Sequence, residues 1–524
     1  MSILRTSYYQ NDKPYLSTKF DSNKINGLPN PHPYRELYVY SNLFEGIHLR
    51  GGKLARGGLR WSDRTEDFRT EVLGLMKAQM TKMQLLFLLV QKPLNIIFGL
   101  VMHLHPVDQL VMIIKRWVSQ PEVRGLQHKG ILEDEQNIYQ DVSVIGIGDM
   151  AGDLFGNGML LSRNVRLIGA FNHMHIFIDP NPDVKNSFTE RKRLFKLPFS
   201  TWMDYNKGLI SQGGGVFERS SKQINVSQEM KKCFGITENV LSPNSLIRYL
   251  LKAEVDLIWN GGIGTFVKAK SESHNVVGDK TNDELRVNGR DIRASMFIEG
   301  GNLGCTQLGR IEYAKSGGYI NADFIDNSAG VICSDLEVNI KIAFVSIMKE
   351  GGISLKKRNE ILASMVDEVA SKVLEDHNRI ETKALLLECL QAKERLEQHH
   401  RLLLNLEKSG LLERSIEFLP ADEEIAKMLT EAEGFSSPQL AILMSYTRTA
   451  IKSEIIHSDL PEKDSFCHDY LLNKLSFINL DDVTKFKNAI ETLSQNLTHV
   501  LDEHLLENYR YGSVSLIELN IDKI

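Results

Sequence analysis

The sequence predicts an α/β fold in which helices cover a parallel sheet. Over residues 141–345, short apolar strands such as VDLIW and MFIE alternate with stretches of helical periodicity. One strand, DVSVIGIG, runs directly into a turn of small residues and then a helix. From about residue 355 the pattern is almost entirely helical. We therefore divide the 524 residues into a disrupted α/β region (1–140), an α/β region (141–345) and a helical C-terminal region (346–524).

Composition limits the classes of partner. The chain is 42% hydrophobic and 25% charged with a net charge of -5, which is globular and argues against nucleic-acid binding. Its five cysteines are scattered without metal-ligand spacing, so we expect no metal and a reducing, cytoplasmic location. The N-terminus lacks signal-peptide features, and the most apolar stretch, 85–102, is interrupted by Lys92 and Pro93. No membrane association is expected.

The N-terminal region is predicted element by element. Residues 1–35 are polar and are expected to form an extended or frayed entry. Residues 36–60 alternate as strands (ELYVYS, EGIHLRG) and end in the turn GGKLARGGLR. Residues 64–82 have helical spacing, whereas 83–140 follow no clean period. Further along, the Leu-, Glu- and Lys-rich run at 383–413 is typical of a helical hairpin.

The segment 142–183 predicts a nucleotide-binding strand–turn–helix–strand unit. Its motif is Gly146-x-Gly148-x-x-Ala151, with Asp149 and Met150 inside the turn. A tight turn needs no Cβ at Gly146, Gly148 lets a pyrophosphate approach the backbone, and the small Ala151 lets the helix pack on the strand. These features predict a Rossmann-like dinucleotide-binding domain.

A ribose-binding acid is expected at the end of the second strand, which we take as VRLIGAFNHMHIFIDP. Asp179 ends this segment, later in the sequence than is usual for such an acid. A carboxylate there repels a 2′-phosphate, so the prediction favours NAD over its 2′-phosphorylated form. The alternative is a glycine-rich turn in an α/β sheet that binds nothing.

Two further loops follow predicted strands. Asn260-Gly261-Gly262 comes after VDLIW, and Glu299-Gly300-Gly301-Asn302 comes after another strand. Open α/β sheets bind ligands at such strand ends, and an amide side chain can bond a ribose or a carboxamide. Each loop, taken alone, is also compatible with a plain turn.

Several longer strings resemble the large bacterial NAD-specific glutamate dehydrogenases. They are ARGGLRWSDRTEDFRTEVLGLMKAQ, VIGIGDMAGDLFGNGMLLS, IFIDPNPD, WNGGIGT, EGGNLGCTQLGRIEYA and NSAGVICSDLEVNIK. The resemblance implies a two-domain enzyme that uses NAD to interconvert L-glutamate with 2-oxoglutarate and ammonia. It also implies substrate-binding roles for Arg56 and Arg60 in RGGLR, Lys82 at the helix end and Ser334 in GVICSDLEV. The oligomeric state, including a homo-oligomer, stays open.

The catalytic residues are left unknown because the segment that should carry them is missing. The family places a catalytic lysine in a string like VPVGSKGG after the helix, whereas residues 83–128 show no such turn. Reading each codon one base out of register allows 82–92 to encode NAVIVPVGSK. We therefore hypothesise a base lost near codon 82 and a frame restored between about 126 and 140, which the gene's nucleotide sequence tests. On this hypothesis Lys92, His103 and His105 carry no function.

Three interpretations follow. The first is a truncated, catalytically impaired NAD-specific glutamate dehydrogenase. The second is a module that binds NAD without catalysis. The third is a different dehydrogenase with a reused pocket, for which the sequence shows no acid/base pair.

Overall fold

The structure is a computed structural model of the 524-residue chain. It describes 3–50 with short gaps, 141–326 except 161 and 263, 354–365 and 383–457, together with single residues between 69 and 76 and between 340 and 370. The α/β prediction is confirmed within these residues. None of the described helices is long and apolar enough to cross a membrane.

The N-terminal residues form an antiparallel sheet with the strand order β1-β2-β3-β4. Its strands are β1 (Ile3–Thr6), β2 (Leu16–Phe20), β3 (Arg35–Tyr40) and β4 (Glu45–Arg50). Of the extended or frayed entry predicted for 1–35, the extended form is confirmed at β1 and β2, which are not frayed because β2 pairs with both β1 and β3. The predicted strands at 36–50 are confirmed.

One residue of the helix predicted at 64–82 ties that segment to the N-terminal sheet. Arg69 is helical and donates two hydrogen bonds to Glu36 on β3, at 2.9 and 3.0 Å. Most of this segment, and all of 83–140, lies outside the described residues.

A six-stranded sheet organises residues 142–299, with the strand order β14-β11-β5-β6-β7-β8. The first four strands in that order are mutually parallel, whereas β7 and β8 run antiparallel to their neighbours. The strands are β5 (Val142–Ile147), β6 (Val165–Phe171), β7 (His175–Ile178), β8 (Gly215–Glu218), β11 (Leu257–Asn260) and β14 (Met296–Glu299).

Both faces of this sheet are buried, which explains why its strands read as continuous apolar runs. Along β5, Val144 joins one hydrophobic core, and Ile145 and Ile147 join another on the opposite face. Short strand pairs extend the region: β9 (Ile224–Asn225) with β10 (Val240–Leu241), and β12 (Val267–Lys268) with β13 (Val287–Asn288).

Helices cover the sheet. Three begin with a serine whose side chain accepts the backbone N–H three residues on, Ser227, Ser242 and Ser273. The helices of this region are α1 (Asp153–Gly158), α2 (Val184–Lys196), α3 (Gln228–Phe234), α4 (Pro243–Leu251), α5 (His274–Val277), α6 (Gln307–Lys315) and α7 (Asp323–Asp326). Short 3-10 helices lie at Ser22–Lys24, Trp202–Asp204, Lys207–Leu209, Lys280–Asn282 and Gly289–Asp291.

The described C-terminal residues are helical, as predicted. The helices are α8 (Leu355–Ser364), α9 (Lys383–Leu390), α10 (Leu396–Lys408), α11 (Arg414–Glu417), α12 (Asp422–Thr430) and α13 (Ser437–His457). The helical hairpin predicted at 383–413 corresponds to two helices, α9 and α10. Glu388 of α9 contacts His399 of α10 at 3.2 Å. Ser437 donates to Asn321, which joins α13 to the segment before α7.

Candidate functional site

Four loops meet at the carboxyl edge of the parallel strands. They follow β5 at Gly148, β6 at Asn172, β11 at Asn260 and β14 at Glu299. After β5 the chain continues into β6, which pairs with one edge of β5. The later strand β11 pairs with the other edge of β5, so the strand order reverses there. This reversal between β5 and β11 is the position where open α/β sheets bind ligands.

Backbone hydrogen bonds hold three of these loops together. The N–H of Gly261 donates to Ile147 at 2.9 Å, and the N–H of Gly301 donates to Asn260 at 3.1 Å. The predicted loops at 260–262 and 299–302 are therefore brought together with the turn after β5. Asn302 is half-buried in the loop that follows β14.

The turn after β5 depends on glycine, but at different points from those predicted. Gly146 lies inside β5, where an added Cβ would come within 2.5 Å of the ring of Phe155. Gly148 makes the turn, with φ at +139°, and its Cβ would also strike Phe155. Phe155 is fully buried, so both glycines make room for α1 to pack on the strand.

The helix-packing role predicted for Ala151 is wrong. Ala151 is exposed, and Phe155 makes the contact between α1 and β5. Met150, also predicted in this turn, is 2% exposed and packs in the core beside Phe155. Any contact between Met150 and a ligand would therefore involve its backbone.

Trp202, which no sequence pattern indicated, supports the turn after β5. Its Nε1 donates to the carbonyl of Gly148 at 3.0 Å, and its ring stacks on Phe177 at 4.8 Å. Phe155 meets the same indole edge-on at 6.0 Å. Nothing in the motif signals this residue, because it lies 54 positions from Gly148 in the chain.

Asp149 caps the turn. Its Oδ1 accepts the backbone N–H groups of Ala151 and Gly152, both at 3.0 Å. Its Oδ2 accepts from Nδ2 of Asn172 at 2.8 Å, which links the turn to the end of β6. The carboxylate thus occupies the amides that a Rossmann-like site directs at a pyrophosphate.

The predicted placement of Asp179 is wrong, because the segment taken as one strand is a hairpin. Asn172 begins the reversal, and its Oδ1 accepts the N–H groups of Met174 and His175. β7 then runs back along β6, so Asp179 pairs with Ile168 in the middle of that strand. The residue at the carboxyl end of β6 is Asn172.

Asp179 is buried, and its described hydrogen bonds are to other groups of the protein. Its Oδ1 accepts from the backbone N–H and the hydroxyl of Ser211. Burial raises the pKa of this carboxyl above its usual value, and the hydrogen bonds from Ser211 oppose the shift.

Asn260 is the best-placed amide at the edge. It is fully buried at the end of β11, and its Oδ1 accepts from the N–H of Gly262 at 3.3 Å. Its Nδ2 has no hydrogen-bond partner among the described residues. An added Cβ on Gly261 would lie 2.9 Å from the Phe155 backbone, so this loop also requires glycine.

A buried charge network supports the loop after β14. Arg310 on α6 donates to both carboxylate oxygens of Glu299, at 2.6 and 3.0 Å, and lies 3.5 Å from Asp323. Asp326 accepts from the backbone N–H of Glu299 at 3.0 Å. Burial raises the pKa of Glu299, against the opposing charge of Arg310, and raises the pKa of Asp326 to about 7.

The predicted substrate-binding residues Arg56, Arg60, Lys82 and Ser334 lie outside the described residues. Helix α7 ends at Asp326, the residue directly before the segment that carries Ser334. The network around Glu299 therefore connects the carboxyl edge of the sheet to Asp326, the residue that precedes this segment.

Comparison with known proteins identifies the family. A model described as "Bacterial NAD-glutamate dehydrogenase, catalytic domain" matches residues 1–92 and 126–388. The chain belongs to this family. The resemblance predicted from the sequence is confirmed.

Three relatives carry the name NAD-specific glutamate dehydrogenase. The protein from Halomonas elongata is 42% identical over 88% of this chain and 34% of its own length. The proteins from Pseudomonas aeruginosa and Mycobacterium tuberculosis are 43% and 38% identical, each over 89% of this chain and over 34% and 35% of their own lengths. The chain spans about a third of the length of these curated relatives.

The match to the family is interrupted between residues 92 and 126. The family model does not match residues 93–125, which lie within the stretch 83–128 that shows no family pattern. The alignment with the Halomonas elongata protein runs over 546 positions, more than the 524 residues of this chain. That relative therefore has residues inside the aligned stretch that this chain lacks.

Proposed function

We propose that residues 141–345 form a Rossmann-like domain that binds NAD at the carboxyl edge of its sheet. The observation that carries this proposal is the convergence of the Gly148, Asn260 and Glu299 loops at the reversal between β5 and β11. Residues 1–140 would be the remaining substrate domain and 346–524 a helical region beside it.

The residues at this edge fit a dinucleotide. Gly148 and Gly261 let their loops pack closely on Phe155, where a Cβ would clash, and this packing sets the position of both loop backbones at the edge. Among the residues that the structure describes, none bonds the buried Nδ2 of Asn260, and a buried donor without a partner is costly unless a ligand or water bonds it.

By resemblance to the family, the reaction that we propose for the complete site is oxidative deamination of L-glutamate to 2-oxoglutarate and ammonia. NAD supplies the hydride acceptor. In this proposal Arg56, Arg60, Lys82 and Ser334 bind the substrate carboxylates, because guanidinium, ammonium and hydroxyl groups donate to carboxylate oxygens. The partners are thus small molecules, and we place the protein in the cytoplasm.

A second function, NAD binding without turnover, is favoured by the interrupted family match at 93–125. A lysine needs a surrounding that lowers its pKa before it can act as a base. Lys92 is followed by Pro93 and lies in the stretch without a glycine-rich turn. We therefore propose that catalysis by this chain is impaired while the cofactor edge is retained.

Two measurements on the purified chain separate these functions. NADH binding is measured by energy transfer from tryptophan to the nicotinamide. Turnover is measured by NADH formation with NAD and L-glutamate. We expect binding without turnover. Turnover would refute the proposed impairment, and absence of NADH binding would refute the cofactor site itself.

A matched pair of variants locates the binding. Gly148→Ala places a Cβ 2.7 Å from Phe155 in a backbone conformation that suits glycine, so NADH affinity should fall about tenfold or more. Gly46→Ala makes the same change in the N-terminal sheet, where the Cβ meets Val39 at 3.8 Å. The second variant should bind NADH like the wild type.

A further inference from the structure

A carboxylate does lie at the end of β6, but it comes from the turn after β5. Asn172 ends the strand and is neutral, and its Nδ2 donates to Oδ2 of Asp149 at 2.8 Å. In dinucleotide-binding folds the carboxylate at the end of this second strand bonds the adenosine ribose. Asp149 reaches that place from a neighbouring loop.

The orientation of Asn172 is set by its own turn. Its Oδ1 accepts two backbone N–H groups, from Met174 at 2.8 Å and His175 at 2.7 Å. An oxygen must therefore face the hairpin, which leaves Nδ2 to face Asp149. Asn172 is 8% exposed, so the amide has little freedom to turn over.

An arginine lies beside Asn172, which holds this carboxylate. Arg219 donates from Nη1 to the carbonyl of Asn172 at 3.1 Å, and its backbone N–H donates to Met174. An arginine beside the ribose position is the group that accommodates a 2′-phosphate in other dinucleotide-binding proteins. At this corner the Asp149 carboxylate would oppose a 2′-phosphate, and the Arg219 guanidinium, which bonds the carbonyl of Asn172, would attract it.

We propose that Asp149, held by Asn172, is the residue that selects NAD over its 2′-phosphorylated form. This inference rests on the proposed NAD-binding function and adds the residue that decides specificity. The carboxylate exchanges one of its backbone contacts for the ribose 2′-hydroxyl, which donates to it. A phosphate at the same position brings like charges together and offers no proton in return. Asn172 is a positioning residue.

The competing role for Asp149 is that of a cap alone. Its Oδ1 already accepts from Ala151 and Gly152, the amides that would meet the pyrophosphate. A carboxylate that only occupied these amides would oppose both dinucleotides equally. The ratio of the two affinities therefore separates selection from capping, and it is independent of any change common to both ligands.

The test measures the dissociation constants of NADH and NADPH with the full chain. Asp149→Asn removes the charge, and Asp149→Ser removes it while keeping an oxygen that can cap the turn. Both should shift the affinity ratio toward NADPH by about tenfold or more. Adding Arg219→Met to Asp149→Asn should reverse most of the NADPH gain. Asp141→Asn removes the same charge at the opposite end of β5, where the residue is exposed, and should leave the ratio unchanged.

The outcomes are distinct. A shift in the ratio with both Asp149 variants supports the inference. Equal changes in both affinities, with an unchanged ratio, assign Asp149 to capping and overturn it. If the wild-type chain binds neither dinucleotide, the proposed function fails and the inference fails with it.

Discussion

Replacing Arg310 with methionine should destabilise the sheet that carries the candidate site. Arg310 is 5% exposed and donates two hydrogen bonds to Glu299, which is fully buried. Methionine keeps much of the apolar volume and removes the charge, so the Glu299 carboxylate is left buried without its partner. Breaking such a pair costs about 3–5 kcal/mol. Against a total stability of roughly 5–15 kcal/mol, the loss is large.

The assay is urea unfolding followed by tryptophan fluorescence, since Trp259 is buried next to Gly300 in the affected loop. Arg290→Met is the matched control. Its partner Asp291 is 4.0 Å away and both side chains are more than a third exposed, so the cost should stay below about 1 kcal/mol.

Two further results would test the stated cause. Adding Glu299→Gln to Arg310→Met removes the unpaired charge and should recover part of the lost stability. Without Arg310 the pKa of Glu299 rises further above its unfolded value, so the deficit should shrink as the pH falls. A cost for Arg310→Met as small as that of Arg290→Met, or no recovery in the double variant, would refute the reasoning.

Three other changes have expected outcomes. Gly146→Ala puts a Cβ 2.5 Å from the buried Phe155 ring, so the urea midpoint should fall by the equivalent of about 1–3 kcal/mol; an unchanged midpoint would contradict this packing. Trp202→Phe removes the donor to the Gly148 carbonyl and should cost about 1–3 kcal/mol in the same assay, whereas wild-type stability would show that the hydrogen bond is replaced. The pKa of Asp326 is raised to about 7, above its unfolded value, so its contribution is full at low pH and is lost as the pH rises through about 7. Thermal melts at about pH 5 and pH 8 should show this slope in the wild type and a flatter one in Asp326→Asn; equal slopes would contradict it.

Local sequence patterns predict much of the carboxyl edge of the sheet that carries the candidate site. The strand at 142–147, the turn after it and the loops at 260–262 and 299–302 were predicted, because apolar runs and glycines report the local backbone directly. The α/β alternation correctly indicated parallel strands for β5, β11 and β14. The family was also predicted from these strings.

The wrong predictions have physical causes. Asp179 was placed at the ribose position because an apolar run shows a strand but not its direction. The reversal at Asn172 was signalled only by one turn-forming residue inside that run. In the N-terminal region, polar residues concealed β1 and β2, which are stabilised by pairing with a neighbouring strand rather than by a buried face of their own.

The sequence by itself determined the strand–turn–helix at 142–158, since glycine spacing and apolar periodicity act over a few residues. Only the tertiary structure decided which side chains meet around it: Trp202 under Gly148, Asn172 beside Asp149, and Arg310 on Glu299. These contacts depend on which strands become neighbours and in which direction they run. A residue's place at the edge of a sheet is a property of strand pairing, and strand pairing joins segments far apart in the chain.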